Sequence, residues 1–136
     1  MNPLFLLDTN TCIEYLRKRN PTVISNIHAR PPDELRVCSV VVAELYFGAF
    51  KKPQPASNFA VLTAFLSVFL SLPFEDRAAK IYGQVRADLE TKGTPIGPND
   101  LMIASIALAH DLTLATHNTS EFSRVSGLKL VDWQTP

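Results

Sequence analysis

Short apolar runs that alternate with helical patterns are the feature of this sequence that most limits its fold. The first run, residues 4–7, is followed at once by the polar residues Asp8, Thr9 and Asn10. A run this short is typical of a strand that is buried on both faces of a parallel sheet. The segment after it has apolar residues at helical spacing, which predicts a helix that packs on such a sheet. The alternation therefore predicts an α/β fold in which helices flank a mostly parallel central sheet.

The same patterns locate the predicted elements along the chain. Strands are expected at residues 4–7, 35–38, 112–116 and 128–131, with a short strand or extended link at 72–74. Helices are expected at residues 11–18, 22–29, 40–50, 58–72, 75–92 and 98–110. Ser39 resembles the N-cap of the third helix, but the β-branched residues Val40, Val41 and Val42 could instead prolong the second strand. The sequence leaves both alternatives open at this boundary.

Length and charge limit the classes of function. The 136 residues predict a single domain over residues 1–136, and a hydrophobic content of 46% is enough for a core. The formal net charge is zero, so no overall field attracts nucleic acid. A polyanionic substrate would therefore have to be held by local Lys and Arg side chains or through metal ions.

The cysteines and the hydropathy pattern bear on the compartment. Cys12 and Cys38 lie in apolar contexts without the spacing of metal ligands, so we expect buried thiols in a reducing compartment. No uninterrupted apolar run reaches the ~18 residues of a membrane span. The N-terminus lacks the basic and apolar regions of a signal peptide. These observations predict a cytoplasmic protein without a membrane segment.

Acidic side chains recur where predicted elements begin or end. Asp8 follows the first strand, Glu44 lies one turn into the third helix, and Asp100 opens a strongly apolar helix. Asn118 and Glu121 lie in a polar loop after the strand at 112–116. Ligands of open α/β sheets bind at the carboxyl ends of the strands, where these residues are expected. Each acid also has a structural interpretation: a helix cap, a first-turn acid, or a surface glutamate.

A gathering of these carboxylates would require a cation. Like charges in one site repel, and some of the groups stay protonated unless positive charge neutralises them. Hard divalent ions with oxygen ligands, Mg²⁺ or Mn²⁺, are the usual solution, and they support hydrolysis of phosphodiesters. Zinc chemistry fits less well because His28, His110 and His117 lack the spacing of zinc ligands. A phosphotransfer aspartate at position 8 would need a second acid nearby, and Asn10 does not supply one.

Four segments in order resemble the motifs of a known family. Residues 5–10, 39–45, 97–100 and 116–122 are similar to the four motifs of PIN domains, in particular those of the VapC toxins of bacterial type II toxin–antitoxin systems. The resemblance extends over nearly the whole chain, including residues 127–133. It implies a three-layer sandwich, cleavage of RNA (initiator tRNA in some relatives), toxin dimers, and silencing by a cognate VapB-like antitoxin.

The resemblance also implies roles for individual residues. Asp8 and Asp100 would be the main Mg²⁺ ligands, and Glu44 would complete the acidic site. The family often has a further Asp in its last motif, where this chain has Asn118 and Glu121. We expect Asn118 to position a water molecule and Glu121 to help hold the metal or its water shell. The alternative is that Glu121 stabilises the first turn of a short helix.

Four more residues are predicted to position the substrate, namely Thr9, Asn10, Thr116 and Arg86. Thr9 and Asn10 adjoin Asp8, and Thr116 ends the strand that leads to Asn118. Arg86 is one of the basic residues of the helix predicted at 75–92. These basic residues could equally form an ordinary solvated face.

The apolar segment at residues 58–72 bears on partners. Its apolar residues cover more than one helical face, which is typical of a central helix or of a protein interface. We expect a homodimer through this segment and a larger complex with the antitoxin, whose Arg would enter the acidic groove. The predicted function is a metal-dependent endoribonuclease toxin. A PIN module that binds RNA or protein without cutting is the alternative, and the presence of Asp8, Glu44 and Asp100 argues against it.

Overall fold

Five strands form one sheet, and every neighbouring pair in it runs parallel. The structure is a computed structural model that describes residues 3–53 and 55–136, with the side chains of residues 55–57 left out. The strands are β1 (Phe5–Leu7), β2 (Leu35–Cys38), β3 (Leu70–Leu72), β4 (Thr113–Ala115) and β5 (Leu130–Val131). The predicted α/β fold is confirmed, and the sheet is wholly parallel where the sequence predicted a mostly parallel one.

Helices connect the strands and cover the sheet. They are α1 (Thr9–Leu16), α2 (Pro21–His28), α3 (Ser39–Phe50), α4 (Pro55–Leu66), α5 (Asp76–Thr91), α6 (Pro98–Ala109) and the single turn α7 (Thr119–Phe122). A short 3₁₀ turn, Pro32–Glu34, leads into β2. The helices α1 to α4 pack against one another, and α5 packs along α6.

The strand order determines where a ligand can enter. The order is β3-β2-β1-β4-β5, so the chain builds outward from β1 in one direction and later returns to build outward in the other. Right-handed crossovers then place the two groups of helices on opposite faces of the sheet. The crevice at the carboxyl ends of β1 and β4, where the direction reverses, is the usual ligand site of such sheets.

Most predicted bounds shift by one to three residues, and two differences bear on which element a segment forms. The helix α3 begins at Ser39, and Cys38 in extended conformation occupies the cap position, so Ser39 is not the N-cap and β2 is not prolonged. The predicted helix at 58–72 ends at Leu66, and residues 70–72 form β3. Leu70 and Leu72 lie in register with Arg36 and Cys38 of β2, so pairing with a buried strand replaces the last helical turns.

Aromatic packing holds the C-terminal segment against β1. The buried Trp133 lies with its ring centroid 5.0 Å from that of Phe5, at the edge of the core. The Arg30 guanidinium lies over both rings, 4.8 Å from the Phe5 centroid and 4.7 Å from that of Trp133. This cation–π arrangement and a hydrogen bond from Asn20 Nδ2 to the carbonyl of Gln134 join α2, β1 and the C-terminal segment.

Both cysteines are buried free thiols, as expected. Burial raises the pKa of Cys12 well above its usual range and that of Cys38 to about 11, so both stay protonated and unreactive at neutral pH. Within the described ranges, no helix is long and apolar enough to cross a membrane.

Candidate active site

Asp8 lies at the carboxyl end of β1 and is the N-cap of α1. Its Oδ1 accepts a hydrogen bond from the Thr9 amide at 2.9 Å, and its Oδ2 accepts one from the Thr116 hydroxyl at 2.7 Å. The side chain is only 4% exposed. Burial raises the pKa of Asp8; the two hydrogen bonds oppose the rise, and the nearby Glu44 and Glu121 add to it. The interpretation of Asp8 as a helix cap is thus correct, and the same carboxylate also lies near other acids.

Thr9 joins Asp8 to Glu44. Its hydroxyl donates to Glu44 Oε1 at 2.5 Å, which connects the first turn of α1 with the second turn of α3. Glu44 is half-buried. The Thr116 hydroxyl, at the end of β4, accepts a hydrogen bond from the backbone amide of Asn118 at 3.0 Å and donates one to Asp8. A continuous line of hydrogen bonds therefore runs from Asn118 through Thr116, Asp8 and Thr9 to Glu44.

Asp100 lies in the first turn of α6, whose N1 position is Pro98, as predicted. Its pKa is raised to about 7, because of burial first, then the charges of Asp8 and Glu121, a hydrogen bond with Glu121, and the charge of Glu44. The four acids thus share one electrostatic environment. Ionisation of Asp100 is costly there unless a cation is present.

Glu121 connects α7 to the segment before α6. Its Oε1 accepts from the Gly97 amide at 3.0 Å, and its Oε2 accepts from Asn118 Nδ2 at 3.1 Å. The Asn118 and Gly97 hydrogen bonds, in that order, lower the pKa of Glu121. Below about pH 7, Glu121 therefore stays ionised beside a protonated Asp100. It also lies in the first turn of α7, so both interpretations of Glu121 agree with its position.

The donor set fits a hard divalent ion. Asp8, Glu44, Asp100 and Glu121 supply carboxylate oxygens, and each oxygen accepts more than one hydrogen bond or ligand bond. Among the described residues, no three His, Cys, Asp or Glu side chains are already drawn together as a metal cluster. Asp8, Glu44 and Glu121 accept hydrogen bonds from protein donors here. Asp8, Glu44 and Asp100 are the residues that would hold the ion.

Two of the predicted substrate-positioning residues lie outside this network. Asn10 is exposed on the first turn of α1. Arg86 is exposed on α5, where it pairs with Glu90 at 2.8 Å and donates to the Tyr82 hydroxyl at 3.0 Å. No hydrogen bond or ion pair of the described residues joins either side chain to the acids. Their part in substrate binding stays a prediction, whereas Thr9 and Thr116 contact the acids directly.

Sequence reasoning missed three parts of the site. The Gly97 amide holds Glu121, a backbone contact that side-chain patterns do not predict. His117 Nδ1 lies 3.0 Å from Asp132 Oδ2, across the last strand connection. Asn99 and Glu44 line a common groove that continues along α3. The signal for Asn99 was its place beside Asp100, but its contact with the α3 groove depends on the fold.

A parallel sheet that carries four acids where its strand order reverses defines the class of protein, an α/β domain with an acidic site at that edge of the sheet. The family comparison agrees with this class. The pattern of the family described as PIN domain matches residues 5–128, and the chain belongs to this family.

Its similar relatives include VapC proteins. The chain is 40% identical over 129 residues to a protein of Salmonella typhimurium named tRNA(fMet)-specific endonuclease VapC, which covers 95% of this chain and 97% of the relative. It is 36% identical over 131 residues to ribonuclease VapC2 of Rickettsia felis, over 96% and 98% of the two chains. The solved structure of DNA-bound VapBC from Salmonella typhimurium superposes with a TM-score of 0.91 at 37% identity, over 96% of this chain and 98% of that one.

Proposed function

We propose that residues 1–136 form one catalytic domain, a metal-dependent endoribonuclease that acts as the toxin of a toxin–antitoxin pair. The observation that carries the proposal is the shared site of Asp8, Glu44, Asp100 and Glu121 at the carboxyl ends of β1 and β4. Support comes from the near full-length similarity to proteins named as VapC ribonucleases. A binding module without catalysis has no need for a cluster of acids whose charges help to raise the pKa of Asp8 and Asp100.

The proposed cofactor is Mg²⁺, for which Mn²⁺ can substitute. When bound, the ion supplies positive charge that activates water and stabilises the charge that develops on the phosphodiester. Asp8, Asp100 and Glu44 would hold it. The proposal assigns the fourth position to Glu121, with Asn118 as a positioning residue.

The surrounding residues keep the acids in place. Asp8 has hydrogen bonds to both carboxylate oxygens, from Thr9 and Thr116, so its side chain cannot turn away when the site is empty or filled. The Thr9 hydroxyl orients Glu44. Glu121 holds the Gly97 amide three residues before Asp100, which positions the start of α6. These contacts preorganise the site before the substrate arrives.

The proposed substrate class is transfer RNA, and the initiator tRNA in particular. This follows from the name of the Salmonella typhimurium relative, which specifies tRNA(fMet). Cleavage of that tRNA would inhibit translation. Sequencing the ends of RNA after induction of the chain in cells would identify the cut site, and cuts confined to other RNA classes would contradict this assignment.

The proposed partners are a second copy of the chain and a VapB-like antitoxin. Structural neighbours at 35–37% identity are VapBC complexes, two of them bound to DNA. Apolar side chains at Phe59, Val68 and Leu70 are 39–60% exposed, which supports an interface through the segment predicted for it. An Arg of the antitoxin would pair with the acids of the site.

The central test compares charge removal inside and outside the site. Asp8→Asn and Asp100→Asn keep the side-chain size but remove a ligand charge, so each is expected to abolish RNA cleavage, by at least ~100-fold, with the fold intact. Asp33→Asn, on the exposed 3₁₀ turn, is the matched control and should cleave like wild type. Chelator should stop wild-type cleavage, and Mg²⁺ or Mn²⁺ should restore it.

Two results would contradict the proposal. Cleavage that continues unchanged in chelator would exclude the metal requirement. Full activity of Asp8→Asn or Asp100→Asn, purified without wild-type protein, would move the chemistry elsewhere. Circular dichroism of each variant checks that the fold is retained.

A further inference from the structure

A groove of about 790 Å³ leads away from the acidic site along α3. Thr9, Glu44 and Asn99 line one end of it, and Arg17, Lys51 and Lys52 line the other. None of the ion pairs found in residues 3–53 and 55–136 uses these three cations. The groove therefore joins a site suited to a phosphodiester with a separate group of unpaired positive charges.

The spacing along α3 places these features on one side of the helix. Glu44 and Gly48 are i, i+4 positions of α3, and Phe47 and its C-cap residue Lys51 form the adjacent row; Lys52 follows the C-cap. Lys51, at the C-cap, is about 10 Å along the helix axis from Glu44, at 1.5 Å per residue, and Lys52 is the next residue. A strand that enters at the acids and follows this side of α3 would meet Gly48 next and the two lysines last.

Gly48 has no evident structural reason to be glycine. It lies inside α3 with helical backbone, and a Cβ added there would meet nothing within 4 Å. A glycine inside a helix costs about 0.5–1 kcal/mol of stability relative to alanine. Gly83 of α5 is equally open, but only Gly48 lines the groove, and we attribute its cost to a ligand or another backbone that comes close there.

Phe47 adds a surface for stacking. Its side chain is 67% exposed, the largest exposure among the large apolar residues that the structure describes. Lys51 Nζ lies 5.1 Å from the centroid of its ring. An exposed aromatic ring beside a cation is a common way to hold an unstacked base and its phosphate in single-stranded RNA.

We propose that this groove binds a single-stranded segment of the RNA substrate, with Gly48 as the point of close approach, Phe47 as a stacking surface, and Lys51 and Lys52 as phosphate contacts. The inference rests on the proposed ribonuclease function and adds the path and form of the substrate. The positive charges of Arg17, Lys51 and Lys52 match a polyanion and not the Arg expected of an antitoxin, which is why RNA is the occupant proposed. Arg17, the C-cap residue of α1, also lines the groove.

The test uses the same substitution at two glycines. Gly48→Leu fills the groove, whereas Gly83→Leu places an identical side chain on α5, where a Cβ also meets nothing within 4 Å. Both changes replace a helical glycine by a good helix former, so both proteins should melt at or above the temperature of the parent. Only Gly48→Leu should weaken binding of a fluorescent single-stranded oligoribonucleotide, by at least tenfold, measured by anisotropy in an Asp100→Asn background.

Two further variants test the other contacts. Lys52→Gln should reduce the salt dependence of binding, because one phosphate contact is lost. Phe47→Ser should weaken binding of the single strand by about fivefold to 100-fold, and Phe47→Trp should restore it, since stacking is worth ~1–3 kcal/mol per base.

The outcomes separate this inference from the proposed function. Equal affinities of Gly48→Leu and Gly83→Leu for RNA would overturn it, even if the wild type cleaves RNA. Loss of antitoxin binding in Gly48→Leu with unchanged RNA affinity would assign the groove to a protein and also overturn it. Equal binding of a duplex and a single strand would overturn the stacking role of Phe47. Absence of cleavage by wild type with either metal would contradict the proposed function, while the binding comparison would still decide the groove.

Discussion

Asp100 is the acid of the site whose ionisation the fold changes most. Its pKa of about 7 exceeds the ordinary value of 3.8 because of burial and the neighbouring acids. Between pH 4 and 7 the native metal-free chain keeps a proton that the unfolded chain has released. The free energy of unfolding should therefore fall as pH rises through this window and level off above it.

We expect Asp100→Asn to remove this fall in the free energy of unfolding with rising pH. Asparagine carries no charge to bury, so in chelator the variant should gain about 1–2 kcal/mol over wild type by pH 8, after allowance for the partly exposed position, and nothing near pH 4. Urea unfolding at both pH values measures the difference. A constant difference across the range would show that Asp100 does not titrate between them.

A second prediction concerns substitutions at Asn118 and Glu121. Glu121→Gln keeps an acceptor for the Gly97 amide but removes the charge, so it should raise the Mg²⁺ concentration for half-maximal cleavage several-fold. Asn118→Ala removes the donor that orients Glu121, and it should lower the rate even at saturating metal. A metal titration of cleavage distinguishes the two.

A different result would give Glu121 a purely structural role. If Glu121→Gln leaves the metal requirement unchanged and only lowers the melting temperature, the hydrogen bond to Gly97 and the first turn of α7 are its whole role. In that case the acidic site would consist of Asp8, Glu44 and Asp100.

At the scale of elements, α3 and α4 share an aromatic patch formed by Tyr46, Phe50 and Phe59. The ring centroids lie 5.4–6.3 Å apart, and Phe50 is 59% exposed. If the patch belongs to the dimer interface, Phe50→Ser should raise the dimer dissociation constant by about tenfold or more, since a buried Phe contributes ~1.5–3 kcal/mol. Leu4→Ser, 48% exposed ahead of β1, is the control. Sedimentation equilibrium that finds equal dissociation constants, or a wild-type monomer, would contradict an interface here.

Some elements of the fold could be predicted from sequence patterns and others could not. Strand β2 and the start of α6 at Pro98 follow from apolar runs and helix-start signals alone, and both were predicted. The chain between Leu66 and Leu72 was not, because its apolar residues satisfy helical and extended spacing equally. Its strand forms only where β2 offers a free edge, and that tertiary contact overrides local preference.

At the scale of the whole molecule, the position of the acids was predictable but their connections were not. Asp8 and the loop with Asn118 follow strands, so the parallel sheet brings them to one edge. The hydrogen bond from Thr9 to Glu44 spans 35 residues, and that from Thr116 to Asp8 spans 108. Contacts over such separations depend on strand order, which the alternation of helices and strands leaves undetermined. The groove beyond Glu44 likewise needs the packing of α1, α3 and α4 to become visible.

Trp133 gives the protein an intrinsic optical signal. It is the sole tryptophan of the chain, 4% exposed, and it packs on Phe5 beneath the Arg30 guanidinium. Phe5 belongs to the strand that ends at Asp8, so the indole reports on the strand that carries an acid of the site. Its emission will shift to the red when water reaches the ring, and the unfolding of β1 can be followed in real time without an attached dye.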